Sequence, residues 1–314
     1  MRIVFSISYC VLCASFCYPE TNNLGKESSN KYFFNPEHIA FKDDSGFEKM
    51  PKPKKGDWLD RFKERGQTFE QYLKQKPNRP NDKRYIIYLQ PIGEFNEEQT
   101  NLLNKAKEFT AIFFQMNVVV TATKPMPVNC SRERSGPNGK WKQYQAGVIM
   151  DETLKPALPK DAFCYLGITM GDLYPEESWN FVFGQASLGE RVGVYSLARY
   201  FPSFYGEKEM PKSGIEAFRR SCKVLSHETC HMFGLQHCIF YQCDESGSNS
   251  LEETDRYPLH LCSICLKKLA WNIGFDIIKR EKELLKFYQD NKLTEEFKWA
   301  EKRLTIISKE PYGK

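Results

Sequence analysis

The sequence predicts a mixed α/β fold, with a twisted mixed sheet, one long helix that carries a histidine cluster, and a helical, cysteine-containing C-terminal part. Three observations support this prediction. A strand, a helix and a second strand follow one another after Tyr85, further apolar strands lie between residues 161 and 200, and helical periodicity returns from Leu266 onward. The 314 residues are also enough to bury a large core.

The first three elements form a recognisable unit. Tyr85 to Leu89 is a continuous run of apolar, β-branched and aromatic residues, which is typical of a buried strand. Asn96 can cap the helix that follows, and two glutamates suit its first turn. Apolar residues then recur at helical spacing, at Leu102, Ala106, Phe109 and Phe113. With NVVVTA as the next strand, this is a βαβ unit with parallel strands.

The later elements are predicted in the same way. DAFCYLGITMGDLYP predicts a third buried strand, and NFVFGQASLGERVGVYSLARY predicts two short segments around a Gly-Glu turn. The second of these, VGVYSLARY, alternates as a half-exposed strand would. One apolar face of the next helix is formed by Ile215, Phe218, Cys222 and Leu225. LKKLAWNIGFDIIKREKELLKFYQ and TEEFKWAEKRLTII predict C-terminal helices.

The N-terminal part of the chain differs in composition. Residues 1–17 contain one arginine, an apolar run and small residues, a pattern typical of a secretory signal peptide. The alternative is a strand or helix of the folded domain. Residues 18–84 predict a poorly structured polar arm that contains one short amphipathic helix, and residues 85–314 a single domain. The protein is secreted if the signal is genuine, and cytoplasmic or nuclear otherwise.

Charge and hydropathy exclude some classes of partner. The net charge of +5 results from 45 basic and 40 acidic residues, and this weak excess predicts no nucleic-acid partner. The N-terminal apolar run is too short for a stable membrane span.

The stretch HETCHMFGLQHC predicts a metal site. His227 and His231 are four residues apart, which places both imidazoles on one face of a helix. Gly234 can end the helix and return His237 as a third ligand, leaving the open position of a catalytic zinc. Glu228, next to the first ligand, can act as general base toward a water molecule. The alternative is a group of ordinary polar residues on a helix.

Four cysteines directly after the histidines predict a second metal site. Two pairs at metal-ligand spacing can surround one tetrahedral zinc with thiolates: Cys238, Cys243, Cys262 and Cys265. No position would stay open, so this second zinc would be structural. The alternative is a pair of disulfides, which would suit a secreted protein.

These segments together resemble the archaemetzincin family. The resemblance runs from about residue 84 to the C-terminal helices, on SCKVLSHETCHMFGLQHC, the cysteine pairs and the strands before them. It implies a zincin-like peptidase domain with three zinc ligands (His227, His231 and His237), Glu228 as general base, and the four cysteines around a structural zinc. It also implies that a peptide or protein substrate binds antiparallel to the edge strand, for which VGVYSLARY is the candidate.

The chain departs from the family pattern at one position. Where the family has a methionine two residues after the second zinc cysteine, this chain has Glu245. The carboxylate can hydrogen-bond a ligand imidazole, coordinate the metal, or point to solvent. Coordination would occupy the open position and weaken catalysis.

The sequence therefore predicts a zinc metallopeptidase, monomeric and with two zinc ions per chain. One alternative is a zinc-binding, catalytically weak or inactive homologue that binds peptides. Another is a disulfide-bridged secreted protein that binds metal incidentally. Among the remaining candidates, Tyr257 is expected at the surface, and His260 is expected to be unnecessary beside four cysteines.

Overall fold

The computed structural model describes residues 34–136, 139–207 and 213–310. The predicted signal peptide at residues 1–17 lies outside this range. The helices are α1 Ile39–Lys42, α2 Trp58–Arg61, α3 Phe69–Lys74, α4 Glu97–Phe114, α5 Ala146–Ile149, α6 Ser213–Met232, α7 Leu251–Arg256, α8 Ser263–Ile273, α9 Ile277–Asp290 and α10 Thr294–Ile307. The strands are β1 Ile86–Ile92, β2 Asn117–Val120, β3 Ser131–Gly136, β4 Gly139–Gln145, β5 Ala162–Thr169, β6 Asp172–Tyr174, β7 Gly184–Ser187 and β8 Val192–Ser196.

A five-stranded mixed sheet organises the domain, as predicted. Its strand order is β2-β1-β5-β8-β7, and the first four strands are parallel while β7 runs antiparallel to β8. The predicted βαβ unit is confirmed, since β1 and β2 pair in parallel on either side of α4. Asn96 caps α4 in a capping box with Gln99. A smaller sheet, β3-β4-β6, contains one antiparallel and one parallel pairing.

The prediction of a half-exposed edge strand at VGVYSLARY is wrong. All five residues of β8 are buried, and β8 lies between β5 and β7, so that β7 is the edge strand. The residues of β8 that alternate with its large side chains, such as Gly193, are buried as well and do not face solvent. A Cβ atom on Gly193 would contact the Tyr195 hydroxyl and lie 3.1 Å from Cε of Met232, so this glycine makes room for side chains between the sheet and α6.

The core between the sheet and the helices fixes the end of α6. Phe233, the residue after α6, stacks on Phe163 of β5 at 4.1 Å between ring centroids and on Phe114 of α4 at 5.3 Å. On the apolar face predicted for α6, Phe218, Cys222 and Leu225 are buried, whereas Ile215 is exposed near the N-terminal end of the helix.

Residues 34–84 differ from the poorly structured arm that the sequence predicts. The segment forms α1, α2 and α3 and buries isolated aromatic residues in the core, including Phe41, Phe47, Trp58 and Tyr72. Because each of these residues stands in a polar stretch, hydropathy averaged along the chain does not reveal their burial. The predicted amphipathic helix is two short helices, α2 and α3, separated by a segment outside regular structure.

Within the described residues, no helix is both long and apolar enough to cross a lipid bilayer.

Candidate functional site: a histidine triad and a cysteine cluster

The helix α6 brings His227 and His231 together as predicted. Their ring centroids lie 4.7 Å apart, and their Nε2 atoms face each other at 3.2 Å. Gly234 follows the helix with φ of +83°, in the left-handed region that glycine adopts without strain. The chain turns there, as the sequence predicts, and returns His237 to the other two rings at centroid distances of 5.3 and 5.1 Å.

The inner faces of the three histidines fit a metal ion. One ring nitrogen from each lies within 4.8 Å of the others. Two nitrogens that share a tetrahedral zinc at ordinary bond lengths are about 3.3 Å apart, close to the 3.2 Å between His227 and His231. Nε2 of His237 is buried and has no hydrogen-bond partner among the described residues. A bond to a metal ion would give this nitrogen a partner.

The outer nitrogens of the two helical ligands are held by main-chain carbonyls. Nδ1 of His227 lies 2.8 Å from the oxygen of Asp244, and Nδ1 of His231 lies 2.7 Å from the oxygen of Leu235. A carbonyl only accepts, so each Nδ1 carries the hydrogen and each Nε2 presents a lone pair. Both ligands are therefore in the tautomer that a metal requires.

The outer nitrogen of the third ligand is held by a side chain. Nδ1 of His237 lies 2.8 Å from Oε1 of Glu64, and the indole of Trp58 meets the same ring edge-to-face at 5.0 Å between centroids. Burial raises the pKa of Glu64, but the hydrogen bond and charge of His237 outweigh it, so the net pKa is lowered. The sequence reasoning missed both residues, because nothing in their local pattern relates them to a histidine 173 residues away.

Burial sets the protonation of the site. It lowers the pKa of His231 to about 3 and that of His227 well below the usual range, so both rings are neutral near pH 7. Burial also raises the pKa of Glu228 to about 8. Glu228 follows His227 on α6, and only 5% of its surface is exposed. A carboxyl group with a pKa near the working pH can both accept and return a proton.

The predicted cysteine cluster is also assembled. The four sulfurs lie within 4.8 Å of one another, and all four residues are buried: Cys238, Cys243, Cys262 and Cys265. The Sγ atoms of Cys238 and Cys262 are 3.6 Å apart, much farther than the roughly 2.05 Å of a disulfide and close to the roughly 3.8 Å expected across a shared zinc. None of the eight cysteines in the described residues forms a disulfide.

The two sites are joined through the backbone. His237 and Cys238 are consecutive, and the main-chain N–H of Cys238 donates to the oxygen of Glu245 at 2.8 Å. The next residue back, Asp244, supplies the carbonyl that orients His227. The cysteine loop therefore holds two of the three histidine ligands in place.

Glu245 is completely buried behind the triad. Its Oε1 lies 3.2 Å from Nδ1 of His231, and burial raises its pKa well above the usual range. Of the three possibilities considered for this residue, pointing to solvent is excluded. The side chain lies on the outer face of a ligand ring.

A cleft of about 870 Å³ opens beside the triad. It is lined by the chain from His231 to His237, by the turn after β7, and by residues between 58 and 78. Residues 77 and 78 contact both the turn after β7 and the loop after α6, and so connect the other two parts of the cleft lining. Asn78 donates a side-chain hydrogen bond to the oxygen of Leu188 at 3.3 Å, and Pro77 packs over Gly234.

The remaining candidates lie outside both sites. The expectation of a surface tyrosine at position 257 is wrong, because Tyr257 is buried and its hydroxyl lies 3.2 Å from the Glu253 carboxylate. His260 stacks on Trp299 at 3.6 Å between centroids rather than joining the four cysteines. Cys230 is buried in the core.

The chain is similar to known proteins over most of its length. Residues 144–271 match the model of peptidase family M54. Archaemetzincin-2 from Rattus norvegicus is 38% identical over 272 residues, which are 78% of this chain and 75% of the relative. Archaemetzincin-2 from Homo sapiens is 38% identical, over 74% of this chain and 72% of the relative. The crystal structure of archaemetzincin from Methanopyrus kandleri is 28% identical, with a TM-score of 0.48, over 62% of this chain and 97% of that one.

The identity to the archaemetzincin-2 sequences extends well beyond the motif, over about three quarters of both chains. The chain therefore belongs to the archaemetzincin family and is a zinc metallopeptidase.

Proposed function

We propose that the protein hydrolyses peptide bonds in the cleft beside the histidine triad, with Glu228 as general base and general acid. His227, His231 and His237 would hold the catalytic zinc. The observation that carries this proposal is the convergence of one ring nitrogen from each of three histidines, with a buried carboxyl group on the residue after the first of them. When bound, zinc makes a water molecule acidic near neutral pH and polarises a peptide carbonyl.

Glu228 would move the proton. In its ionised form it accepts a proton from the attacking water at a carboxylate oxygen, and it then delivers that proton to the nitrogen of the leaving amine. Burial raises the pKa of Glu228 to about 8, which makes its carboxylate a stronger base toward the attacking water. The same burial keeps bulk water away from the transfer.

The edge strand β7 would bind the substrate backbone. An extended peptide gains main-chain hydrogen bonds when it adds to a free sheet edge. β7 is the last strand of the five-stranded sheet, and the turn that follows it, at Leu188 and Gly189, lines the cleft with His231 and His237. These contacts support β7, rather than β8, as the docking strand.

The cysteine cluster would hold a second, structural zinc. Four thiols leave no position for a substrate, and none of the four cysteines lines the cleft. The alternative of a catalytically weak homologue depended on Glu245 reaching the open position of the metal. The contact of Glu245 with the outer nitrogen of His231 supports the active enzyme instead.

A matched pair of variants tests the proposal. Wild type and Glu228→Gln would be incubated with a mixture of unstructured peptides, and cleavage would be followed by mass spectrometry together with zinc content. We expect Glu228→Gln to retain its zinc and to lose cleavage by at least ~100-fold, since general acid–base catalysis contributes this much or more. Equal cleavage by the two proteins would refute the role of Glu228. An inactive wild type that binds zinc would favour the peptide-binding alternative.

A further inference from the structure

The third histidine of the triad is oriented differently from the first two. His227 and His231 each direct Nδ1 at a main-chain carbonyl of the segment 235–244, close to the ligands in sequence. His237 directs Nδ1 at the carboxylate of Glu64, 173 residues earlier in the chain. The orientation of His237 thus depends on a segment outside residues 144–271, which match the family model.

The segment that carries Glu64 is hydrogen-bonded to the loop that carries His237. Gln67, three residues later, donates from its side chain to the oxygen of Gly234 at 3.1 Å and accepts from the main-chain N–H of Gln236 at 3.2 Å. Both partners belong to the loop that presents His237. The segment carrying Glu64 and the loop carrying His237 are therefore fastened to each other on the side of the cleft.

The backbone next to Glu64 lies against the same loop. A Cβ atom on Gly66 would come within 2.7 Å of Cγ1 of Ile239, so the two chains are in close contact there. Trp58, on the other side of Glu64 in sequence, covers the His237 ring edge-to-face and is itself buried. The Glu64 side chain is 26% exposed, at the edge of this packed region.

We propose that Glu64 is a positioning residue of the histidine metal site. Its carboxylate accepts the Nδ1 hydrogen of His237, selects the tautomer whose Nε2 carries a lone pair, and turns that atom toward His227 and His231. Carboxylates in this position commonly strengthen metal binding by histidine. The inference rests on the proposed metal site, and it assigns part of that site to the N-terminal segment.

Metal affinity of the full-length protein tests this role. Wild type, Glu64→Ala, Glu64→Gln and Glu70→Ala, each purified with its metal, would be titrated with a chromophoric chelator, and the emptied histidine site would then be refilled with Co²⁺ or Zn²⁺. Cobalt absorption separates the thiolate site from the histidine site. Glu70 is the control, because it is an exposed glutamate of the same segment whose hydrogen bonds are to Thr68 and to its own backbone.

We expect Glu64→Ala to weaken the histidine site by ~10–100-fold, the usual effect of removing such a partner. Glu64→Gln should fall between Glu64→Ala and wild type, because an amide oxygen still accepts the Nδ1 hydrogen but carries no charge. The cysteine site should bind equally in all four proteins, and Glu70→Ala should match wild type throughout. A merely structural role of Glu64 would weaken both sites together.

The remaining outcomes are distinct. A folded Glu64→Ala variant with wild-type affinity at the histidine site would overturn the inference, as would equal weakening of both sites. If Glu64→Ala lacks a cooperative thermal transition, Glu64→Gln decides: several-fold weaker binding at the histidine site supports the inference, and unchanged binding refutes it. Failure of wild type to bind metal at the triad would instead refute the proposed function.

Discussion

Oε1 of Glu245 lies 3.2 Å from Nδ1 of His231, on the side of the ring opposite the Nε2 atom that faces His227. The two ring nitrogens point in different directions, so a carboxylate at Nδ1 lies behind the ligand and cannot take an open position at its front. Nδ1 already donates to the Leu235 oxygen. Glu245 is thus a buried acid beside an imidazole that is already hydrogen-bonded.

We expect Glu245→Met to stabilise the protein. Both carboxyl oxygens are buried, and no N–H or O–H group among the described residues donates a hydrogen bond to them; a buried polar group left in this state costs about 1–3 kcal/mol. Methionine has a similar size and no polar atom to bury. Urea unfolding of wild type, Glu245→Met and Glu245→Gln would measure the free energy of unfolding. The Met variant should gain stability and the Gln variant should not. A less stable Met variant would mean that the carboxyl group makes a favourable contact.

We expect two zinc ions per chain, each removable by its own mutation. Elemental analysis should give two zinc ions in wild type, one in His231→Ala and one in Cys265→Ser, because the two ligand groups share no side chain. The cysteine variant should also lose thermal stability, since a structural zinc contributes directly to folding. One zinc in wild type and none in His231→Ala would show that the cysteines hold no metal.

We expect Gly234→Ala to destabilise the protein more than Gly274→Ala. The two glycines have nearly the same backbone conformation, with φ of +83° and +80°. A Cβ atom on Gly234 would lie 2.7 Å from Cβ of Pro77, whereas one on Gly274 would meet nothing within 4 Å. Both variants carry the strain of a left-handed alanine, roughly 1 kcal/mol. Thermal unfolding should show an additional loss only at Gly234, and equal losses would indicate that Pro77 moves aside freely.

We expect the stability of the protein to depend on pH through Lys223. This lysine is 3% exposed, and its Nζ donates to the oxygens of Thr254 and Tyr257 at 2.6 Å each. Burial, followed by the charge of Arg219, lowers the pKa of Lys223 to about 7, whereas an unfolded chain keeps a lysine pKa near ~10.4. Between these values the unfolded chain binds more protons, so the free energy of unfolding rises with pH.

Urea unfolding at pH 7 and pH 9 would measure this contribution in wild type, Lys223→Met and the exposed control Lys298→Met. The stability of wild type relative to Lys223→Met should rise by about 2 kcal/mol over these two pH units. Lys298→Met should follow wild type. Parallel pH profiles for wild type and Lys223→Met would show that Lys223 keeps its charge in the folded protein.

The residues that local pattern could identify are those whose chemistry depends on near neighbours. His227, His231 and His237 lie on one helix and the turn after it, and Gly234 has the conformation that its place in the motif predicts. The βαβ unit follows from periodicity over some 35 residues. In each case, short-range spacing determines the geometry.

The residues that the sequence did not identify depend on contacts between distant segments. Glu64 and Trp58 reach His237 only after the N-terminal segment has packed across the cleft, and no spacing rule relates positions so far apart. The edge position of β7 also required the assembled strand order, because β7 and β8 are both short and adjacent in sequence. Tyr257 is buried by such packing as well, since Lys223 of α6 contacts its main chain.

The two ligand groups differ in their position relative to the cleft, and this difference implies different rates of ion exchange. His231 and His237 line an open cleft, whereas none of the four cysteines lines it. An ion among the thiols can leave only during a local opening of the chain, so its exchange against an isotopic tracer would proceed at the rate of that opening. If the histidines hold the catalytic zinc and the cysteines a structural one, as proposed, brief removal of zinc would stop activity before it destabilised the fold, and activity would return when zinc was restored.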